Sequence, residues 1–299
     1  MDILLFGAGA SYGSATTGAP PMGEALFDAL RSFNPQGWGA LPTAMASEFR
    51  ADFEKGMARL ATENPHAMPI LQRAMAAFFY NFVPNSANLY VRLSERIRAR
   101  SWSGAIATLN YERFIELSLL HAGIQPVVGQ VAGSGQVELC LPHGCCHIFC
   151  DGARASSVGV SFSGLGVMFD GPVSVITRAS EFRARLEGDA VPPVMSYFEP
   201  QKTTSAGASF IRSQRERWAQ LASQATSLAV IGVRCRPHDS HIWEPVAASS
   251  ADVVYCAGST AGAEFRQWAA TARPGKTSRV FPGYFAAEFE NMCQGLRLA

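Results

Sequence analysis

Charge is scarce in this chain. Of its 299 residues, 16% are Asp, Glu, Lys or Arg, against about 25% in an average soluble domain. The 25 basic and 24 acidic residues nearly cancel. There is thus no basic excess to draw the chain to nucleic acid by counterion release, and nucleic-acid binding is not expected. Long apolar runs are also missing. Ile3–Gly23 and Leu117–Val137 are free of formal charge over a bilayer-length span, but Gly, Pro, Gln and hydroxyl residues break both. A spanning helix needs about 20 mostly apolar residues, so no membrane association is expected. No signal peptide is expected, since Asp2 replaces a basic n-region and the apolar run Ile3–Phe6 is short; a cytoplasmic setting is expected. The seven cysteines are odd in number and contain no C-x2-C pair. They suit reduced core thiols better than a disulfide framework or a structural zinc site, and no metal is expected.

Apolar material is plentiful. Hydrophobic residues make up 48% of the chain, which excludes intrinsic disorder. The length is ample for a core that needs no staple. Apolar abundance with little charge implies either extensive buried surface, as in an oligomer, or many functional loops of small neutral residues.

Strand and helix signals alternate. Ile3-Leu4-Leu5-Phe6 is a short apolar strand running into Gly7-Ala8-Gly9-Ala10-Ser11, and Tyr12–Pro21 is a loop of small residues and prolines. Residues 24–100 are mostly helical, with breaks at Asn64-Pro65 and Pro84-Asn85. Leu71, Met75, Phe78, Phe79 and Phe82 form one apolar stripe, read as core packing. Gly104–Leu109 is a buried strand, followed by a helix over Glu112–His121. Pro126–Val131 and Val137–Leu141 are paired short strands around Gly133-Ser134-Gly135. Residues 143–193 read as irregular, with one strand at Val173–Thr177, and Val194–Phe198 reads as another. A helix over Ala208–Gln224 precedes strands Leu228–Gly232, Asp252–Cys256 and Ser278–Phe281. Helices Asp239–Ala248, Ala261–Thr271 and Phe285–Leu296 alternate with those strands. This alternation predicts an α/β fold, a Rossmann-like parallel sheet with helices on both faces. It is expected as a single domain over 1–299, with a helical insertion at 24–100 and an irregular one at 143–193.

In open α/β sheets ligands bind at the carboxyl ends of the strands. Those ends carry Gly7–Ser11, Thr108-Leu109-Asn110-Tyr111-Glu112, His143-Gly144, Gly232 and Cys256-Ala257-Gly258. A strand, a Gly-x-Gly turn and a helix N-terminus together make an anion cradle from free N–H groups and the helix dipole. The match is partial. The third glycine of GxGxxG would fall at Tyr12, and no second strand ends in Asp or Glu about 20 residues on. A tight turn without a ligand has the same sequence. An Asn at a strand-to-helix junction is by itself a helix cap, and a His before a Gly a turn residue.

Taken together and in order, these segments resemble the sirtuin-like NAD-binding family, and above all its bacterial branch. The matching residues are Gly7-Ala8-Gly9-Ala10-Ser11, Thr108-Leu109-Asn110-Tyr111-Glu112, Leu141-Pro142-His143-Gly144-Cys145, and Ile231-Gly232 followed by His238-Asp239-x-His241-Ile242. The resemblance implies a Rossmann-like fold that takes NAD as substrate and cleaves its nicotinamide–ribose bond. It implies that Gly7, Ala8, Gly9, Ala10 and Ser11 wrap the pyrophosphate. Asn110 would orient the nicotinamide ribose and the attacking water, and His143 would act as general base, suited by an ordinary pKa of ~6.5. Tyr111 and Glu112 would flank the ribose, with Glu112 where the family commonly has Asp, and Gly232 and Asp239 would line the adenosine side. Protein-deacylating sirtuins carry two C-x2-C pairs after the catalytic His. Here Cys140, Cys145, Cys146 and Cys150 lack that spacing, which moves the expectation from deacylase to NAD hydrolase. Val254-Tyr255-Cys256 also lacks the Asn expected at the adenine ribose. The resemblance extends to anti-phage defence by NAD depletion, with regulation by homo-oligomerisation or a protein partner. The alternatives are a non-hydrolytic NAD or ADP-ribose sensor and, behind it, an NAD-dependent deacylase. Ser161–Gly166 reads as a flexible loop over the site, and Arg92, Arg96, Arg98 and Arg100 as a solvated or partner-facing helix surface.

Overall fold

The structure is a computed structural model that describes residues 1–152, 169–196, 206–236 and 238–298. The chain divides into two compact units. One comprises Met1–Pro20, Phe82–Pro142 and Ser213–Ala299; the other comprises Pro21–Asn81 and His143–Arg212.

The first unit is built on seven parallel strands in the order β3-β4-β2-β1-β7-β8-β9. These are β1 (Asp2–Phe6), β2 (Ala105–Thr108), β3 (Gln125–Val128), β4 (Gln136–Cys140), β7 (Ser227–Ile231), β8 (Asp252–Cys256) and β9 (Ser278–Phe281). Strands buried on both faces must be apolar without alternation. Ile3-Leu4-Leu5-Phe6 and Leu228-Ala229-Val230-Ile231 obey that rule, each at 1% exposure or less. On one face Ile3, Leu5, Val230 and Tyr255 pack under α9 (Ala208–Gln224), α10 (Ser240–Ala248) and α11 (Ser259–Ala272), through Trp218, Trp243 and Phe265. On the other, Phe6 meets Tyr90 of α6 (Leu89–Ala99) and Phe285 of α12 (Phe285–Gly295), at ring-centroid distances of 5.2 and 5.9 Å. Phe114 of α7 (Phe114–His121) joins them. Burying one such aromatic side chain contributes about 1.5–3 kcal/mol. The α/β expectation with helices on both faces holds.

Some details differ. The two strands around Gly133-Ser134-Gly135 do pair, but in parallel, with Val127 opposite Glu138. The loop between them returns the chain without a helix. The α7 helix starts at Phe114 rather than Glu112, because Glu112 is held by side chains outside the helix. Cys140 and Cys256 are buried free thiols, as read from composition.

The second unit draws on both insertions. The helical part ends at Asn81, since α6 belongs to the sheet unit. Its helices are α2 (Glu24–Phe33), α3 (Thr43–Ala51), α4 (Phe53–Glu63) and α5 (Met68–Tyr80). Phe27 stacks on Phe49 at 4.9 Å, with Trp38 edge-on at 5.4 Å. Asp52 caps α4 by accepting from the N–H groups of Glu54 and Lys55, the role Asp fills at helix starts. Leu71, Met75, Phe78 and Phe79 lie buried on α5, as their spacing predicts, whereas Phe82, expected in the same stripe, follows the end of α5, is half-buried and belongs to the sheet unit. The segment 143–193, expected to be irregular, holds β5 (Ile148–Cys150) paired antiparallel with β6 (Val173–Val175), and the helix α8 (Ala179–Gly188). Phe182 of α8 stacks on Tyr80 of α5 at 3.7 Å. That helix escaped a reading by apolar periodicity because only Phe182 and Arg185 of its residues are buried. Of the strand expected at Val194–Phe198, the described residues show a bridge between Met195 and Gly144; Tyr197, Phe198 and the Ser161–Gly166 loop lie outside the described residues. Among the described residues no helix is long and apolar enough to cross a membrane.

Candidate functional site

The chain leaves β1 through Gly7 into a single turn of helix, α1 (Ala8–Ser11). This turn packs against the end of β7. Gly7 N donates to Ile231 O at 2.9 Å and Gly9 N to Gly232 O at 3.0 Å. The approach is close enough to demand glycine on both sides. A Cβ on Gly7 or Gly9 would lie 2.7 or 2.9 Å from Gly232 O, and one on Gly232 would run into Ala10 N. Gly232 also has φ +68°, the left-handed region that glycine enters at no steric cost.

The same contacts engage several of the turn's N–H groups within the protein. The N–H groups of Gly7, Gly9 and Ala10 already bond to Ile231, Gly232 and Gly7. A helix of one turn carries little of the macrodipole. What the turn does present is a floor of main chain, on which only Ala8 is exposed.

Beneath the turn lies a buried polar cluster. Ser11 Oγ donates to Glu112 Oε1 at 2.6 Å. Since its one hydrogen is committed there, the 3.0 Å contact with Tyr90 is a donation from the phenol to Ser11 Oγ. Asn110 Nδ2 donates to Ser11 Oγ at 2.9 Å, and lies 3.3 Å from Gly7 O and 3.2 Å from Glu112 Oε1. Three acceptors around one nitrogen fix the orientation of the amide. A flipped Asn110 would set its oxygen against the carbonyl of Gly7 and the carboxylate of Glu112. Asn110 Oδ1 therefore points away from the cluster. It is shielded from solvent and has no hydrogen-bond partner among the described residues, in a residue only 4% exposed. An unsatisfied buried acceptor costs about 1–3 kcal/mol until a donor reaches it.

The cluster is electrostatically unusual. Burial pushes the Glu112 carboxyl pKa up, against the opposing pull of its bonds from Ser11 and Asn110. Burial, then the charge of Glu112, pushes the Tyr90 phenol well up. Gly9-Ala10-Ser11-Tyr12-Gly13 has Gly-x-Ser-x-Gly spacing. A nucleophile elbow exposes its serine, whereas Ser11 is fully buried with its hydrogen on a carboxylate.

The structure thus brings Gly7, Gly9, Ala10, Ser11, Asn110, Glu112 and Gly232 together around the carboxyl ends of β1, β2 and β7. Tyr111 and Asp239, both buried, act on Arg215: burial lowers that guanidinium's pKa, and the two side chains oppose the shift. Asp239 stands at the start of α10. Tyr90 was not visible in the sequence as a functional residue. On an amphipathic helix a tyrosine at a buried position reads as core, and its partner Ser11 lies 79 residues away.

His143 belongs to the second unit. Its carbonyl accepts from Ser196 N at 2.9 Å, Gly144 bridges Met195, and Cys145 N donates to Val194 O at 3.0 Å. Gly144 takes φ +73° beside Val194 O, where a Cβ would collide. His143 is buried, at 7% exposure. Beyond it, a turn closed by Ile148 N to Cys145 O brings Cys145, Cys146 and His147 together, their ligand atoms within 4.8 Å of one another. This gathering was not expected of adjacent cysteines; among the described residues it offers three donors, where a structural zinc site takes four.

No protein-family model matches the chain, and no curated protein does. Among solved structures it is similar to a Sir2 mutant with a p53 peptide and NAD, at 13% identity and a TM-score of 0.44, covering 100% of this chain and 94% of that one. It is similar at 14% identity and a TM-score of 0.43 to a Sir2 homologue in complex with NAD, covering 100% of this chain and 90% of that one. A Sir2 structure with an inhibitor, 2'-O-acetyl-ADP-ribose and a deacetylated p53 peptide gives 14% identity and a TM-score of 0.44, covering 100% of this chain and 95% of that one.

Proposed function

We propose that this protein binds NAD as its substrate and hydrolyses the nicotinamide–ribose bond, releasing nicotinamide and ADP-ribose. The observation that carries this is Asn110 Oδ1: a buried acceptor at the carboxyl end of a parallel sheet, turned away from Ser11, Glu112 and Gly7 and without a hydrogen-bond partner among the described residues. A ribose hydroxyl or a water is the donor it lacks, and the four sequence elements that resemble the sirtuin-like family include this residue.

The chemistry suits neutral groups. Nicotinamide leaves with the electron pair of the glycosidic bond, which neutralises its ring, and positive charge develops on the ribose. Water adds to the anomeric carbon and loses a proton to a base. Asn110 orients the water and the ribose hydroxyl through its carbonyl oxygen. His143, assigned from its sequence element, takes the proton. Hydrolysis rather than deacylation is favoured by the missing C-x2-C pairs, and NAD depletion in anti-phage defence, switched by self-association or a protein partner, is the biological role this chemistry fits.

The test is to incubate the purified chain with NAD and follow nicotinamide by chromatography. Wild type should release nicotinamide and ADP-ribose in equal amounts. Asn110→Ala and His143→Ala should each fall by roughly 10²–10⁴-fold, the usual contribution of a positioned acid–base group. Intact NAD, bound and unhydrolysed, would instead favour the sensor.

A further inference from the structure

At the amino ends of β2 and β4, the opposite edge of the sheet from Asn110, the first unit holds a cleft of about 540 Å³. That volume is within the usual range of small-molecule sites, about 300–1,000 Å³. At ~30 Å³ per water, it is far larger than an inorganic ion needs. Ile97, Ile124 and Val137, all buried, form its apolar side. Its polar side comes from the end of α6 and from the loop before β4. Among the described residues that line it, Arg98 carries the one charge and no carboxylate is present.

Arg98 donates one N–H to Gly123 O at 2.9 Å and forms no ion pair among the described residues. That bond anchors the guanidinium at the cleft and leaves its other N–H groups unspent. Arg100 N donates to Arg96 O, Trp102 N to Ile97 O at 3.1 Å and Ser101 N to Arg98 O at 3.2 Å. The last carbonyls of α6 are therefore met, which masks the negative end of the helix. Ser101 takes φ +48° to close it, a position that usually falls to glycine. The serine accepts backbone strain and puts a hydroxyl-bearing residue on the cleft wall. Trp102 follows, its indole laid against the main chain of Gly104, where a Cβ would run into Cζ2 and into Asp2 O. The indole N–H is shielded from solvent and has no acceptor among the described residues. On the loop side, Gln136 N donates to Gly133 O at 3.1 Å, Gly133 N to Gln136 Oε1 at 2.8 Å and Gln125 N to Gly135 O at 3.0 Å. The loop is pinned, while the N–H groups of Ser134 and Gly135 donate to nothing among the described residues.

A cation finds no carboxylate in this cleft, and a neutral apolar molecule leaves the guanidinium and the main-chain donors unmet. We propose that the cleft is a binding site for a small organic anion. Its carboxylate, sulfonate or phosphate head meets Arg98, and its apolar body lies along Ile97, Ile124 and Val137. The site shares no residue with the cluster around Asn110 and does not rest on the NAD reading. It sits at the end of α6 and the start of β2, the ends away from Tyr90 and Asn110. An occupant there bears on both elements without entering the candidate active site.

Two dyes with a common body separate charge from apolar contact: anilinonaphthalene sulfonate, an anion, and phenylnaphthylamine, its uncharged counterpart. In fluorescence titrations the full wild-type chain should bind the anion at one saturable site, more tightly than the uncharged dye. Arg98→Ala should weaken the anion by roughly 10- to 150-fold, the contribution of a hydrogen bond to a charged group. The uncharged dye should bind this variant as it binds wild type, with the melting temperature confirming the fold. Arg98→Lys, which keeps the charge, should recover part of the loss. Ala132→Trp, which fills the cleft and keeps Arg98, should weaken both dyes. Equal affinity for the two dyes, an anion affinity unchanged in Arg98→Ala, or wild-type binding of both dyes by Ala132→Trp overturns the site. So does the absence of saturable binding of the anion to wild type.

Discussion

Ser11 and Glu112, 101 residues apart in sequence, share a buried hydrogen bond of 2.6 Å. It joins the turn after β1 to the segment after β2, and it sets the direction of every other bond in its cluster. With the Ser11 hydrogen on Glu112, Tyr90 must donate to Ser11, and Asn110 must turn its nitrogen toward the cluster and its oxygen away from it. The orientation of one amide is therefore decided by two side chains, Ser11 and Glu112, and by the carbonyl of Gly7.

Asn110→Ala should separate activity from stability. The substitution removes the donor to Ser11, but it also removes a buried carbonyl oxygen that has no partner among the described residues. The two effects oppose each other, since a net hydrogen bond contributes about 1 kcal/mol and an unmet acceptor costs as much or more. Urea denaturation should show a change below ~1 kcal/mol, while nicotinamide release falls by orders of magnitude. A large loss of stability would mean that the amide is structural.

Glu112 gives the fold a pH dependence of definite sign. Its carboxyl pKa is raised in the folded state, chiefly by burial. The folded protein therefore holds this proton to higher pH than the unfolded chain does. Stability contributed by the protonated group is fully present below the unfolded pKa and is lost as pH rises through the folded one. Glu112→Gln, which keeps an oxygen for Ser11, removes this titration. Thermal melts between pH 4 and pH 8 should show a flatter profile for the variant than for wild type, with its relative gain at the upper end. An unchanged slope would place the titration elsewhere.

Much of the sheet is legible in sequence, because a doubly covered strand must be continuously apolar and Ile3–Phe6, Leu228–Ile231 and Val253–Cys256 are. The carboxyl-end residues follow from the same alternation. What stayed hidden is long-range. Tyr90 finds Ser11, Tyr284 finds Gly258, and Arg73 reaches the carbonyls of Leu186 and Asp189; none of these pairs leaves a periodic trace. The helix α8 was missed because it buries too few residues to show a stripe. The glycine turn shows a subtler gap. Glycines at 7 and 9 are consistent with a ligand cradle, yet the nearest atom to each missing Cβ belongs to Gly232, so packing alone already requires them.

Gly232→Ala therefore tests the turn as structure. A Cβ there meets Ala10 N at a residue with φ +68°. Left-handed backbone in a non-glycine residue costs about 1–3 kcal/mol, and the collision adds to it. Urea unfolding should lose at least ~2 kcal/mol, and Gly9→Ala should behave alike through Gly232 O. Gly13→Ala, where a Cβ meets nothing but φ is +76°, should cost only the backbone part, about 1 kcal/mol. Equal losses at 13 and 232 would show that close packing against β7 contributes little.

In the second unit, Gln72 holds the segment that holds His143. Gln72, 1% exposed on α5, donates from Nε2 to Met195 O at 2.7 Å. Met195 bridges Gly144, and the next residue, Ser196, donates its N–H to His143 O. The Gln72 side chain thus fixes the backbone of 194–196, and that backbone fixes the turn at 143–145. Gln72→Leu fills the same space without the donor, leaving Met195 O buried and unmet, at a cost of about 1–3 kcal/mol in local stability. Amide exchange at Ser196 and Cys145 should then quicken by roughly 5- to 150-fold, while exchange in β1 and β7 of the sheet unit stays at the wild-type rate. Uniform acceleration across both units would mean that Gln72 contributes to global stability rather than to the His143 turn. Unchanged exchange at Ser196 would show that the bridge to Gly144 holds without it.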